Sequence, residues 1–213
     1  MIDQSILDDN RYQDIARLVL DDDAVETDPD KSVVAQPRVL SKGSIPKWRF
    51  PDWFEPLQPY CEALLDEHPD FAKNVFVMMK FDKENEDLNE IYGTIKEILP
   101  LYDLNVLRAD ERYYTDQLWD NVRTYMLCCS YGVAVLENIV ANEFNPNVGL
   151  EYGFMSALNR PTMVLIDDRF RNMRADIIGT IVYPFNSRRI GETVAEAVRD
   201  WAQIRLGLSV PGD

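Results

Sequence analysis

The sequence NPNVGLEYGFMSAL, residues 145–158, separates two short apolar runs at residues 131–136 and 162–166. Asn145 is a favourable helix N-cap, and Pro146 suits the first helical position because that position needs no free backbone N–H. The apolar runs are short enough to be buried strands. The pattern therefore predicts a helix that connects two strands of one sheet.

Small residues recur every four positions along this helix, at Gly149, Gly153 and Ala157. Two interior glycines each destabilise a helix by about 1 kcal/mol relative to alanine. We interpret them as a sign that the helix packs closely on a sheet or lets a ligand approach its backbone. Glu151 lies between the glycines and shares a face with Met155. Glu151 is either a reactive carboxylate or an ordinary helix glutamate. Most single glutamates on helices are of the ordinary kind.

Strands and helices alternate from residue 74 onward. The predicted strands are residues 75–79, 104–109, 131–136, 162–166 and 181–183, and the predicted helices are residues 88–99, 117–128, 145–158, 173–178 and 194–206. This alternation indicates an α/β fold with a mostly parallel five-stranded sheet covered on both faces. The most economical strand order is the flavodoxin-like order 2-1-3-4-5, which places a ligand crevice above the first and third strands.

The 213 residues, 46% of them hydrophobic, suffice for one substantial core and an appendage. We assign residues 71–213 to the α/β domain. Residues 1–70 form an N-terminal arm with a predicted helix at 6–20, an acidic linker, a segment rich in prolines and aromatic residues at 41–60, and a short helix at 59–67. The aromatic side chains need burial, so the arm is expected to pack across the main domain or a partner subunit. A homo-oligomer or a protein partner is therefore expected.

Composition excludes several classes of protein. The net charge of -15 and the lack of a basic stripe give no strong nucleic-acid signal. Three cysteines, two of them adjacent, fit neither a disulfide framework nor a zinc site, which favours a reducing compartment. We see no secretory leader and no apolar run approaching 18 residues, so a cytoplasmic protein with no membrane span is expected. His68 is the only histidine, which leaves no multi-histidine metal site, and no metal is predicted.

The loops after the predicted strands supply residues, most of them polar, to the edge where a crevice is expected. They are Lys80 and Phe81 after the first strand, Arg108, Asp110 and Glu111 after the second, Glu137 and Asn138 after the third, and Asp167, Asp168 and Arg169 after the fourth. No G-x-G-x-x-G motif follows the first strand and no P-loop motif occurs, so neither a dinucleotide fingerprint nor a P-loop NTPase is indicated. The acids at 82–87 lack the spacing of an EF-hand.

A crevice rich in carboxylates, without a histidine base, fits cleavage of a glycosidic bond. Glu151 would be the nucleophile or would stabilise the cationic centre, and Asp110 or Glu137 would assist. Two other features have alternative explanations. Phe81 and Tyr152 either stack on a base or belong to the core. Arg108 or Lys80 could bind a phosphate of the substrate. The alternative for Arg108 is an ion pair with a neighbouring acid at the end of the strand.

Three motifs in this order resemble those of the predicted nucleotide-binding, TIR-like proteins related to nucleoside 2-deoxyribosyltransferases. They are VFVMMKFD at 75–82, RADE at 108–111 and NPNV at 145–148 followed by Glu151 and Gly153, and the resemblance covers residues 74–185. It implies that Glu151 is the catalytic residue, and that the loop after the first strand and residues 108–110 line a nucleotide site. The substrate-binding residues expected on all these grounds are Met79, Lys80, Phe81, Arg108, Asn138, Asn147, Tyr152 and Met155.

This chain departs from that pattern in two places. Glu137 and Asn138 precede a long loop through residue 144, where family members usually have an aspartate and a short loop, and Tyr152 stands where a small or aliphatic residue is common. The resemblance implies an N-glycosidase or glycosyltransferase that acts on NAD or a (deoxy)nucleotide as substrate and needs no cofactor. Bacterial relatives of this kind often act in antiphage defence. The alternatives are a non-catalytic nucleotide-binding sensor or scaffold and, less favoured, a flavin-binding protein.

Overall fold

The computed structural model describes residues 48–139, 145–170 and 181–212. The predicted helices at 6–20 and 173–178, the acidic linker and residues 140–144 of the long loop lie outside these ranges. The strands are β1 (Asn74–Met78), β2 (Asn105–Leu107), β3 (Tyr131–Leu136), β4 (Thr162–Asp167) and β5 (Val182–Phe185). The helices are α1 (Gln58–Glu67), α2 (Glu86–Ile98), α3 (Leu118–Cys128), α4 (Pro146–Ala157) and α5 (Ile190–Asp200), and α5 continues into a π-helical turn, Trp201–Arg205.

The strands form one five-stranded sheet in the order β2-β1-β3-β4-β5, and every neighbouring pair is parallel. The predicted fold class and strand order are therefore confirmed. The chain leaves β1 toward β2 on one side and later returns to pair β3 with β1 on the other side. The carboxyl ends of β1 and β3 consequently flank the topological switch point, where open α/β sheets bind ligands.

Alternate residues of each central strand enter different halves of the core, because strand side chains point to opposite faces. On one face, Val75 and Val77 belong to a cluster with the buried residues of α2 and α5. On the other, Phe76 and Met78 belong to a cluster with residues of α1, α3 and α4. Burial on both faces explains why β1 is a continuous apolar run rather than an alternating one.

Asparagine side chains begin two of the helices. The Asn145 Oδ1 accepts a hydrogen bond from the Asn147 backbone N–H at 3.0 Å, and Pro146 occupies the first helical position. Asn85 caps α2 in the same way, because its Oδ1 accepts from the Leu88 N–H at 3.0 Å. The predicted start of α4 is confirmed, which sets the position of Glu151 on its second turn.

Part of the N-terminal arm contributes to the α/β core. Leu57, Cys61 and Leu64 are buried in the cluster beneath α3 and α4. The partly buried ring of Phe54 lies 5.6 Å, centroid to centroid, from that of Phe154 on α4. Residues 54–64 therefore help to hold the helices that border the switch point.

Two of the three small residues of α4 do not mark close packing. Gly153 and Ala157 are exposed, and a Cβ added at Gly153 would meet nothing within 4 Å. The interpretation that these two positions pack tightly on the sheet is therefore wrong. Close approach occurs instead at Gly132 in β3, where an added Cβ would lie 2.8 Å from Met78 Cε and 2.9 Å from Thr162 Oγ1.

Among the described residues, we find no helix with the length and apolar character needed to cross a bilayer.

Candidate functional site

A cleft of about 320 Å³ lies at the carboxyl ends of β1 and β2. Its lining residues come from β1 and the following loop (Phe76, Val77, Met79, Phe81), from the loop after β2 (Arg108, Ala109, Asp110, Tyr113), from α3 (Leu118, Val122) and from α4 (Glu151). The volume lies at the lower end of the range typical of small-molecule sites. The lining, with many apolar walls and a few polar groups, is also typical of such a site. The cleft is the candidate functional site.

The cleft brings together several side chains that are far apart in the chain and were singled out from the sequence. Met79, Phe81, Arg108, Asp110 and Glu151 all line it. They come from the loop after β1, the loop after β2 and the second turn of α4. Their convergence follows from the strand order, because β1 lies between β2 and β3 and α4 follows β3.

Other residues expected at the site have different surroundings, and none of them belongs to the cleft lining. Met155 is completely buried in the core, and Tyr152 packs, partly buried, against the same apolar cluster. Asn147 is exposed on the first turn of α4, and Lys80 is half-buried beside Met79. Their roles in substrate binding stay predictions.

The acid after β3 is engaged locally. Glu137 is 8% exposed, and its Oε2 accepts a hydrogen bond from the Ile139 backbone N–H at 2.5 Å. The neighbouring Asn138 is half-buried, and both residues lie outside the cleft lining. The role of Glu137 as the assisting acid therefore stays a prediction that this geometry does not favour.

The fourth strand ends in a separate polar cluster. Asp167 is buried, and both of its carboxylate oxygens accept hydrogen bonds from Arg169, at 3.0 Å from Nε and 2.8 Å from Nη2. The Asp168 carboxylate accepts from the Asn186 side chain at 2.8 Å. These groups hold the loop after β4 to β5 and do not line the cleft.

Sequence reasoning missed the aromatic and aliphatic rim of the cleft. Tyr113 is 60% exposed and Leu118 is 67% exposed, although both line the cleft, and Phe81 is 42% exposed. Leu118 and Val122 belong to the predicted helix at residues 117–128, for which the sequence indicated no role in the site. Large apolar side chains that remain exposed around a cleft are typical of a ligand-binding surface.

Arg108 is held in the cleft wall by a carboxylate and two aromatic rings. Its Nε lies 2.5 Å from Asp110 Oδ1 and its Nη2 lies 3.1 Å from Oδ2, which makes the ion pair bidentate. The guanidinium carbon is 3.7 Å from the centroid of the Tyr92 ring and 5.0 Å from that of Phe81. Nη1 lies 3.8 Å from the sulfur of Met79, a weak acceptor. The strand-end ion pair is thus present.

Glu151 is the other carboxylate of the cleft lining. Its side chain is half-buried on α4. Burial disfavours the charged form, which raises the pKa of Glu151 from its ordinary value of 4.5 to about 7. Near neutral pH the carboxyl group is therefore present in both its ionised and its protonated form, as expected for a group that reacts or transfers protons.

The raised pKa of Glu151 makes the stability of the protein depend on pH. Because the folded state holds this proton more tightly than the unfolded state, the stabilisation is fully present below about pH 4.5 and is lost as the pH rises through about 7. The loss amounts to about 2 kcal/mol once partial exposure is allowed for. We expect Glu151→Gln, which cannot ionise, to lack this dependence and to be the more stable protein at about pH 8. Urea denaturation of both proteins at about pH 5 and about pH 8 measures how their free energies of unfolding depend on pH. The same dependence in both proteins would contradict this expectation.

Within the ranges that the structure describes, no group of three or more His, Cys, Asp or Glu side chains is arranged to hold a metal ion. No protein-family model matches the chain, and no curated protein matches it either. The resemblance to TIR-like and deoxyribosyltransferase-like proteins therefore stays a prediction based on the motifs.

Proposed function

We propose that the protein cleaves the N-glycosidic bond of a nucleotide, either NAD or a (deoxy)nucleoside monophosphate, with Glu151 as the reactive carboxylate. The observation that carries the proposal is the half-buried Glu151, which follows β3 on α4 and lines a cleft at the carboxyl ends of β1 and β2, and whose pKa lies near 7. A carboxylate in such surroundings is the group that glycosidic chemistry uses.

The chemistry requires the bond between C1′ of the sugar and the base nitrogen to break, with its electron pair leaving on the base. Positive charge then develops on the sugar ring, and ionised Glu151 either shields that charge or bonds to C1′. A water molecule, or a second base in a transferase, completes the reaction at C1′. With water, its oxygen bonds to C1′, and where Glu151 has bonded to C1′ this step breaks that bond and releases the carboxylate. The proton of the water goes to the departing base of a nucleoside monophosphate. Nicotinamide instead leaves NAD as a neutral base, so with NAD the proton goes to Glu151 or to the solvent.

The cleft offers matching contacts for the other parts of such a substrate. The exposed rings of Phe81 and Tyr113 provide flat apolar surfaces for the base. Nη1 of Arg108 is placed to donate to an oxygen of the sugar or base, while Asp110 neutralises the charge of the guanidinium. For a phosphate of the substrate we propose Lys83, whose Nζ lies 5.4 Å from the centroid of the Phe81 ring.

The direct test is a chromatographic assay for released nicotinamide or nucleobase. We expect the purified protein to release nicotinamide from NAD or a free base from a nucleoside monophosphate, with a rate proportional to protein concentration. Release from only one of the two substrate classes would identify the substrate. Intact substrates after prolonged incubation with folded protein would contradict the proposal.

A second candidate function is non-catalytic binding of a nucleotide by a sensor or scaffold module. The observation that favours it is the engagement of Asp110, both of whose carboxylate oxygens accept hydrogen bonds from Arg108. Of the carboxylates in the cleft lining, this leaves Glu151 to act without an assisting acid. The binding module predicts saturable nucleotide binding with no released base, and calorimetric titration with NAD and with a nucleoside monophosphate would detect it.

A further inference from the structure

The loop after β2 contributes much of the cleft but receives little support from the sheet. Residues 108–117 connect β2 to α3, and Arg108, Ala109, Asp110 and Tyr113 of this loop line the cleft. β2 has only three residues and lies at the edge of the sheet. The conformation of the loop must therefore be set by contacts elsewhere, since short edge strands constrain the chain beyond them weakly.

Asn121 of α3 provides several of these contacts, and they are buried, whereas the contacts of the loop with Glu67 and Lys96 are exposed. The Asn121 side chain is completely buried. Its Nδ2 donates to the Ala109 carbonyl at 2.8 Å and to the Arg112 carbonyl at 3.3 Å, and its Oδ1 accepts from the Tyr114 N–H at 2.8 Å. One amide side chain thus holds the backbone of the loop at three points over six residues. Both donor hydrogens of the amide are used, and so is its oxygen.

Tyr125 adds a fourth contact one helical turn further along α3. Its hydroxyl donates to the Arg112 carbonyl at 2.9 Å, and its ring is buried against Phe76 with centroids 5.9 Å apart. The helix that carries both side chains is itself fixed by its buried face. The loop is therefore tied to a rigid element rather than to another loop.

We propose that Asn121 is a positioning residue for the cleft. It holds the loop after β2 in the conformation in which Arg108, Asp110 and Tyr113 face the substrate. This inference rests on the proposed function for its kinetic consequences. Residues 118 and 122 of the same helix line the cleft directly. Asn121 therefore fixes the position of one wall of the site, the loop after β2, relative to another, α3. Glu151 belongs to α4 and does not depend on these hydrogen bonds.

Asn121→Ala is expected to affect binding much more than the chemical step. Without the amide, the loop samples other conformations, and the substrate loses oriented contacts with Arg108 and Tyr113. We expect KM for the substrate, NAD or deoxyadenosine monophosphate, to rise about tenfold or more, while kcat falls by no more than about threefold. The pH profile of kcat should keep the midpoint of the wild type, because Glu151 keeps its surroundings.

Asn74 offers a matched control. It is also completely buried, and it also makes three side-chain hydrogen bonds, to the His68 and Cys128 carbonyls and from the Asn105 side chain. It begins β1, at the end of the sheet opposite the cleft. Asn74→Ala should lower the thermal stability to a similar extent but leave KM unchanged. An equal rise of KM in both variants would show that Asn121 acts through stability alone and would overturn the proposal.

Hydrogen exchange tests the inference without any enzymatic activity. Under native conditions, the amides of residues 109–114 should exchange about tenfold faster in Asn121→Ala than in the wild type, and at the wild-type rate in Asn74→Ala. Unchanged exchange in this segment would overturn the positioning role. If the wild type cleaves no nucleotide, the proposed function fails while this exchange experiment still decides the role of Asn121.

Tyr125→Phe serves if Asn121→Ala does not fold. It removes only the hydroxyl that donates to the Arg112 carbonyl and keeps the buried ring. We expect the amides of residues 109–114 to exchange about threefold faster than in the wild type. This effect is smaller than that of Asn121→Ala because the hydrogen bonds of Asn121 remain. Exchange equal to that of the wild type in this variant would count against the proposal.

Discussion

Glu151→Gln is expected to lower the rate of base release by about a thousandfold or more. Glutamine has the shape of glutamate but neither its charge nor its proton equilibrium, so it can neither shield a cationic sugar nor attack C1′. The substrate contacts of Phe81 and Arg108 remain, so we expect nucleotide affinity to change by less than about threefold. Single-turnover chromatography measures the chemical step, and titration with the same nucleotide measures the affinity.

The control is the same change at Glu97, an exposed residue on α2 that is not part of the cleft lining. Glu97→Gln should release base at the wild-type rate. Glu151→Gln should also remain folded, since removing an acid whose ionisation opposes folding does not destabilise the protein near neutral pH. Base release by Glu151→Gln at a rate close to that of the wild type would show that another group performs the chemistry.

Gly132→Val is expected to lower the free energy of unfolding by about 3 kcal/mol. Gly132 lies in β3 between β1 and β4, and its added Cβ would already be 2.8 Å from Met78 Cε and 2.9 Å from Thr162 Oγ1. Met78 is completely buried, so its terminal methyl group has little room to move. The two further methyl groups of valine increase the overlap. Urea denaturation, analysed for the midpoint and the slope separately, measures the change.

The same substitution at Gly93 provides the control. Gly93 is exposed in the interior of α2, and a Cβ added there would meet nothing within 4 Å. Valine has a somewhat higher helix propensity than glycine, so Gly93→Val should change the stability by less than about 0.5 kcal/mol. A Gly132→Val protein as stable as Gly93→Val would show that β3 and its neighbours separate easily, contrary to the close packing described here.

The order of the strands was predictable because it depends on local patterns and on a general rule of connection. Short apolar runs such as residues 131–136 alternate with amphipathic segments, and parallel strands joined by helices follow few economical routes. The start of α4 was predictable for a similar reason, since Asn145 and Pro146 act within one turn of the chain. The limits of β1 and α3 differ from the predicted ones by one residue.

The site was predictable only in part. The sequence placed Glu151, Arg108, Asp110, Phe81 and Met79 near one another because the ends of neighbouring strands meet. It did not show that the rim includes Tyr113 and Leu118. The course of the loop after β2 depends on hydrogen bonds from α3, and the position of α3 depends on packing against residues distant in the chain. The glycine spacing of α4 was misleading, since the side of a helix that meets the sheet is decided by tertiary packing.

Local sequence was enough to predict the alternation of strands and helices, their parallel arrangement and the position of one acid on the second turn of a helix. These properties follow from side-chain periodicity and capping, which act over a few residues. Three other properties could be known only from the folded protein. Asp110 is bound by Arg108, Gly132 rather than Gly153 is the glycine of close approach, and Glu151 is buried enough to raise its pKa to about 7. Burial, pairing and desolvation depend on residues distant in the chain, and local sequence does not contain them.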